Sequence, residues 1–162
     1  MALIALRVAL SCLVFLSCVC SHECLPPPPC YYLVRVKTGN VQDAGTESDI
    51  SLMINSSHPG RYFTVYNLQG WGIMDSGHAS FERGSLDIFS GTGPCFNGDV
   101  CAITLISDGT GQAPGWYLEY VEITIFECYD ATKLTFPVNQ WLAQGKSYHL
   151  HANVNFMLPR LL

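Results

Sequence analysis

Phe81-Glu82-Arg83-Gly84-Ser85-Leu86-Asp87-Ile88-Phe89 is followed, beyond two cysteines, by Ser107-Asp108-Gly109-Thr110-Gly111-Gln112-Ala113-Pro114-Gly115-Trp116-Tyr117-Leu118-Glu119-Tyr120-Val121-Glu122-Ile123-Thr124. Glycines mark the reversals, and the segments between them alternate apolar with polar residues. That pattern reads as strand, turn, strand, turn, strand. Within Trp116 to Phe126 the apolar set changes face near Tyr120 and Val121, which predicts a bulge or a strand that serves two environments.

Working outward, the period of two continues. In Tyr31 to Lys37, Tyr32, Val34 and Val36 face one way while Arg35 and Lys37 face the other. Further strands are expected at Asp49 to Ile54, Tyr62 to Leu68, Leu86 to Phe89, Ala102 to Ile106, Trp116 to Phe126, Leu134 to Val138 and Tyr148 to Asn155. No long stretch of period 3.6 competes, and only Val138 to Ala143 could form a helical turn. About eight short strands with turn punctuation predict an all-β fold, an antiparallel β-sandwich.

The N-terminal end is different. Arg7 precedes an apolar run from Val8 to Val19, too short to span a hydrocarbon core of about 30 Å. With small residues Cys18 and Cys20 at the −3 and −1 positions, residues 1–20 read as a signal peptide and predict entry into the secretory pathway, either secretion or retention in the endoplasmic reticulum. Residues 21–30 contain Pro26 to Pro29, a stiff lead-in to a single domain expected over 31–155, with 156–162 as a tail. Without residues 1–20 the chain carries seven basic and thirteen acidic residues, a net charge of −6. No basic stripe is present, which argues against nucleic acid, and no polybasic cluster is present to hold anionic lipid. No later segment is long and apolar enough for a transmembrane span.

The ordered motifs carry a resemblance. Thr38-Gly39 followed by Ala44-Gly45-Thr46-Glu47-Ser48-Asp49-Ile50, then Phe81-Glu82-Arg83-Gly84, Gly115-Trp116-Tyr117-Leu118 and Phe136-Pro137-Val138-Asn139-Gln140-Trp141-Leu142-Ala143 together resemble the PLAT (lipoxygenase-homology) domain. Within that family they look like the plant stress-associated single-domain proteins. The resemblance covers roughly residues 30–143. It implies a C2-like β-sandwich that binds a lipid or membrane surface or a protein, with a role in plant stress responses. The alternative is a protein–protein interaction module without lipid or calcium binding.

Catalysis is not expected. No Gly-x-Ser-x-Gly pentapeptide occurs, and His58, His78, His149 and His151 are scattered without an activated serine nearby. His149 and His151 would share one face of a strand, but neither a third ligand nor a supporting shell can be named. No cofactor is required. Calcium is the metal the resemblance implies, through Gly45, Thr46, Glu47 and Glu82. Two departures thin that set: Ala79-Ser80 and Gly115 stand where calcium-binding lipoxygenases place amide or acidic side chains. The resemblance also implies membrane contact by apolar loop tips. Trp71, Ile73 and Met74 are the first match and Phe96 the second, against the alternative that Trp71 caps the sandwich. Trp116 and Trp141 are expected to be buried.

Past the signal stand Cys24, Cys30, Cys95, Cys101 and Cys128. Without a Cys-x-x-Cys pair they read as a disulfide framework with one thiol left over. Cys95 and Cys101 bracket a short loop containing Gly98, so a bridge between them is geometrically allowed. Plant relatives carry further cysteines where Leu118 stands and near the C-terminus, as though one pair had been lost here. The resemblance therefore implies Cys95–Cys101 and Cys30–Cys128, while four cysteines still allow three connectivities. Asn55-Ser56-Ser57 forms the sequence's Asn-x-Ser triplet and is expected in a surface loop as a glycosylation acceptor.

Overall fold

The computed structural model describes residues 29–73, 79–96, 100–127, 130–144 and 149–156. The expected signal peptide, most of the proline lead-in, Met74, Cys24 and Cys128 lie outside the described residues. Eight strands form: β1 (Cys30–Thr38), β2 (Ile50–Ser56), β3 (Tyr62–Val65), β4 (Leu86–Gly93), β5 (Val100–Ser107), β6 (Trp116–Glu127), β7 (Asp130–Leu142) and β8 (His151–Asn155). They make two antiparallel four-stranded sheets, ordered β4-β1-β6-β7 and β3-β2-β5-β8. No helix of the described residues is long and apolar enough to cross a membrane.

The alternation along each strand explains the packing. Tyr32, Val34 and Val36 of β1 and Leu52 and Ile54 of β2 are fully buried, as are Ile103, Leu105, Ile123 and Phe136 of the strands beside them. These inner faces meet in one core. Each fully buried Leu, Ile, Val or Phe is worth about 1.5–3 kcal/mol relative to its exposed state, which is what holds the two sheets together.

The predicted change of face in β6 is a bulge. Thr38 pairs with Leu118 but Lys37 pairs with Tyr120, so Glu119 is the extra residue. Before it, Trp116 and Leu118 point inward; after it, Val121, Ile123 and Ile125 do. β7 answers with an irregularity of its own, since Leu118 faces Gln140 and Tyr120 faces Pro137. Asn139 there takes a positive φ of 50°. The one segment that could have formed a helical turn, Val138 to Ala143, does not: it continues β7 to Leu142.

The disulfide expectation is also corrected. Cys30 is joined to Cys95, across 65 residues, and Cys101 is a free, exposed thiol. The cause is strand register. Cys30 opposes Gly93 on β4, and the chain leaving β4 brings Cys95 back over the start of β1. Cys101 sits on β5 in the other sheet, at the register shift beside Ser56. The Tyr32 hydroxyl donates to the Pro94 carbonyl in the same corner. Burial pushes that phenol up from its ordinary pKa, and the charge of Glu127 adds to the shift.

Candidate binding face at the loop end

Three connections gather at the sandwich end where β1 finishes: residues 39–49, 79–85 and 108–115. Their backbones are tied together. Gly39 N–H donates to Tyr117 O, Tyr117 N–H to Ala44 O, Thr46 N–H to Phe81 O, and Gly84 N–H to Gly39 O, at 2.9–3.2 Å. Thr46 is buried and spends its hydroxyl internally, donating to Ala113 O at 3.0 Å and accepting from Ser48 N–H at 3.1 Å.

The Phe-Glu-Arg-Gly turn owes its shape to Asp87, which is 1% exposed. Its Oδ2 accepts from Phe81 N–H at 2.9 Å and from the Ser85 hydroxyl at 2.7 Å. Phe81 holds a positive φ of 61° while its ring packs between Phe89 and Trp116. A bulky residue in that backbone region is strained, and burial of the ring together with the Asp87 bond keeps it there. The result aims Glu82 and Arg83 outward, with Arg83 Nε donating to Asn40 Oδ1 at 3.0 Å. On the facing loop, Asp108 accepts from Thr110 N–H at 3.0 Å and from Asp49 N–H at 3.1 Å. The Thr110 backbone bond is the main reason its carboxyl is held below the usual range.

Two hollows open side by side on this end. One, about 290 Å³, is polar and lined by Gly45, Thr46, Glu47, Glu82 and Arg83, among others. The fold thus brings together all four residues expected to meet calcium. The other, about 340 Å³, is mostly apolar, with Trp141, Gly115 and Ala143 on its walls. Asp43 and Ala113 line both. Asp43 has a positive φ of 58°, uncommon for a side-chain-bearing residue.

The donor set does not suit a calcium site built from protein alone. Among the described residues no group of three His, Cys, Asp or Glu could hold a metal. Glu47 Oε2 already accepts from Gln112 N–H at 2.9 Å, and the Thr46 hydroxyl is committed as described. Calcium takes six to eight oxygens, and few carboxylate oxygens are left to supply them. His149 and His151 do come close, with ring centroids 5.6 Å apart, but no third ligand of that kind joins them among the described residues.

The expected membrane tip is not at this end. Trp71 is half-buried, its ring laid against Gly91 of β4 and 6.2 Å from the Phe63 ring. Gly72 and Ile73 bridge to Ser90 at mid-strand, so this segment seals the edge between the sheets. A Cβ on Gly91 would sit 2.6 Å from the indole, so the close approach exists only because residue 91 is glycine. Phe96 is 4% exposed and belongs to the core. Of the described tip residues, Ile73 alone is exposed, at 78%. Trp116 is fully buried as expected, whereas Trp141 is only partly covered and stands at the apolar hollow. Asn55 lies on β2, paired with Tyr62 and Ala102, and not in a loop.

Asp43, Arg83, Ala113 and Trp141 were not foreseen as site residues. Their meeting depends on which loops share an end, which local periodicity does not encode. Two signals were available: the polar Gln42-Asp43 tip beside the Ala-Gly-Thr motif, and the alternation along β7 that sets Trp141 out of phase with Leu134 and Phe136.

Comparison with known proteins agrees with this architecture. The family model described as PLAT/LH2 domain matches residues 32–158. PLAT domain-containing protein 1 of Arabidopsis thaliana is 44% identical over 128 residues, covering 77% of this chain and 70% of the relative. PLAT domain-containing protein 3 of the same plant is 45% identical, covering 60% of this chain and 96% of the relative. Among solved structures, the crystal structure of Delta413-417:GS LOX superimposes with a TM-score of 0.58 at 25% identity, covering 80% of this chain. This chain spans only 16% of that protein. The crystal structure of coral 8R-lipoxygenase, described as calcium-activated through a C2-like domain, gives a TM-score of 0.55 at 24% identity and supports the fold alone.

Proposed function

The chain belongs to the PLAT/LH2 domain family, and from that premise we propose that it is a non-catalytic binding module whose ligand face is the loop end. The observation that carries this reading is the pair of hollows sharing Asp43 and Ala113. A polar hollow bearing Glu47, Glu82 and Arg83 beside an apolar one walled by Trp141 suits an amphipathic ligand, with its polar head in the first and apolar part in the second. A lipid at a membrane surface has that chemistry. The module works in the secretory pathway or outside the cell, in the stress responses of a plant, and requires no metal. Calcium enters only as a bridge between the acidic rim and an anionic headgroup.

Flotation with phosphatidylcholine and phosphatidylserine vesicles, with and without calcium, tests the reading. Wild type is expected to float, and Trp141→Ala to reduce flotation several-fold. Failure to float on either composition, or flotation unchanged by Trp141→Ala, overturns the site. The inward turn of Trp71 favours one second reading, a protein-docking module that never inserts into a bilayer. Capture of a defined protein by wild type, without vesicle binding, would establish it instead.

A further inference from the structure

The outer face of the β3-β2-β5-β8 sheet carries no formal charge, and we propose that it is a binding surface for a neutral glycan chain. Register fixes which side chains it presents. Along β2, Leu52 and Ile54 enter the core, so Ser51, Met53 and Asn55 face outward. Cross-strand pairing extends each of these into a row. One row runs Tyr62, Asn55, Ala102, Asn155 from β3 to β8. The next runs Thr64, Met53, Thr104, Asn153. In the third, Ser51 is followed by Ile106 and His151, and the Ser51 hydroxyl donates to the Tyr66 carbonyl at 2.6 Å. Asp, Glu, Lys and Arg are absent from all three rows. His151 stands at one corner of the set, opposite Ile106.

The opposite face of the molecule is unlike it. There Arg35, Glu122 and Lys133 form an ion-pair string, with N–O distances of 2.9 and 2.7 Å. Within its strands this acidic chain keeps the sheet face free of charge, with Asp49 and Asp108 just beyond the ends of β2 and β5, so the face costs less to desolvate than a charged one. Its amides can donate and accept, while the Ser51 and Thr104 hydroxyls, whose protons go to Tyr66 O and Asn153 Oδ1, keep lone pairs that accept from sugar hydroxyls. Tyr62 and Tyr66 are 59% and 81% exposed and lie along the β3 margin. Their rings offer apolar platforms with a polar tip, suited to the flat face of a pyranose.

The occupant follows from this composition. A charged polysaccharide, a nucleic acid or an anionic membrane would find no counter-charge on the face. A protein partner would seek a central aromatic cluster, whereas the tyrosines here stand at the margin and the middle row is polar around Met53. Four strands about 4.8 Å apart and three rows two residues apart make a flat field of roughly 14 Å each way, room for a short run of sugar rings.

The test uses the full chain, oxidised and produced in a host that adds no N-linked glycan, since Asn55 opens a glycosylation triplet on this same face. Retention is measured on insoluble cellulose, xylan and mannan, with polygalacturonate as the charged control. Retention on at least one neutral glycan is expected, unchanged between low and high salt, reduced at least tenfold in Tyr62→Ala/Tyr66→Ala, and kept in Trp141→Ala. No retention on any of the three overturns the proposal, as does salt-sensitive retention, retention indifferent to the tyrosines, or concentration-dependent self-association abolished by the same double substitution. Thr104→Ala/Asn153→Ala gives a second variant, expected to weaken retention while leaving the melting transition close to wild type. Because Trp141 belongs to the loop end, vesicle binding and glycan retention fail separately.

Discussion

Trp116 Nε1 donates to Thr38 Oγ1 at 3.0 Å, and both residues are fully buried. The bond joins the last residue of β1 to the first of β6 underneath the loop end. It also lets a large indole fill the core without stranding its one polar atom. Thr38→Val keeps the side-chain shape but removes the acceptor, leaving a buried N–H unpaired. The expected loss is about 1–3 kcal/mol, read as a lower urea midpoint with an unchanged m-value.

The Cys30–Cys95 bridge closes a long stretch of chain. For a separation of 65 residues the chain-entropy estimate is about 4 kcal/mol. Non-reducing peptide mapping is expected to recover Cys30 linked to Cys95. In the folded, oxidised protein a maleimide should label Cys101 without prior reduction. Serine at both positions 30 and 95 should lower stability by no more than that estimate. A bridge from Cys95 to Cys101 in the map would contradict the structure.

Gly91→Ala places a methyl group where the Trp71 ring now lies. Either the indole leaves its seat or the edge of the sheet shifts. The expected cost is about 1–3 kcal/mol, with a red-shifted tryptophan emission that Trp71→Phe removes. Unchanged emission and melting would show that the seam does not hold Trp71 as described.

Glu122 sets an acid-side dependence. Burial pushes its carboxyl up, but hydrogen bonds and charges from Lys133 and Arg35 outweigh that and hold it below the usual range. A depressed folded-state pKa gives stability that is present above the unfolded value, near 4.3, and lost as pH falls through the folded one. Wild type should therefore exceed Glu122→Gln by at most about 1 kcal/mol at neutral pH, because the two cations are largely solvated. The gap should close below about pH 4. A gap constant down to acid pH would remove the ion pairs as its source.

Much of this architecture is legible from the order of residues alone. Burial on one sheet face imposes a period of two, so all eight strands show, and the doubled register at Glu119 shows as a break in that period. What depends on non-local register does not show. Cys95 meets Cys30 because β4 runs antiparallel to β1, a fact no cysteine spacing contains. Trp71 turns inward because Gly91, twenty residues on, leaves room for it. At the loop end the Ala-Gly-Thr and Phe-Glu-Arg-Gly motifs are legible as parts, and the fold sets Glu47 and Glu82 on one hollow. Trp141 was expected in the core because of the motif it belongs to, yet on β7 it is out of phase with Leu134, Phe136 and Leu142, which face the core, and so it stands at the apolar hollow.

The bridge at Cys30 also has a mechanical consequence. β1 runs from the disulfide to the loop end over nine residues, a lever of roughly 27 Å. A pull applied upstream of Cys30 enters the sandwich at a point already stapled to the segment that follows β4. Peeling β1 from β4 strand by strand, starting at that end, is blocked until the bond is reduced. Attached to a support through its N-terminal side, the domain would carry load covalently at one end and present both hollows, undistorted, at the other.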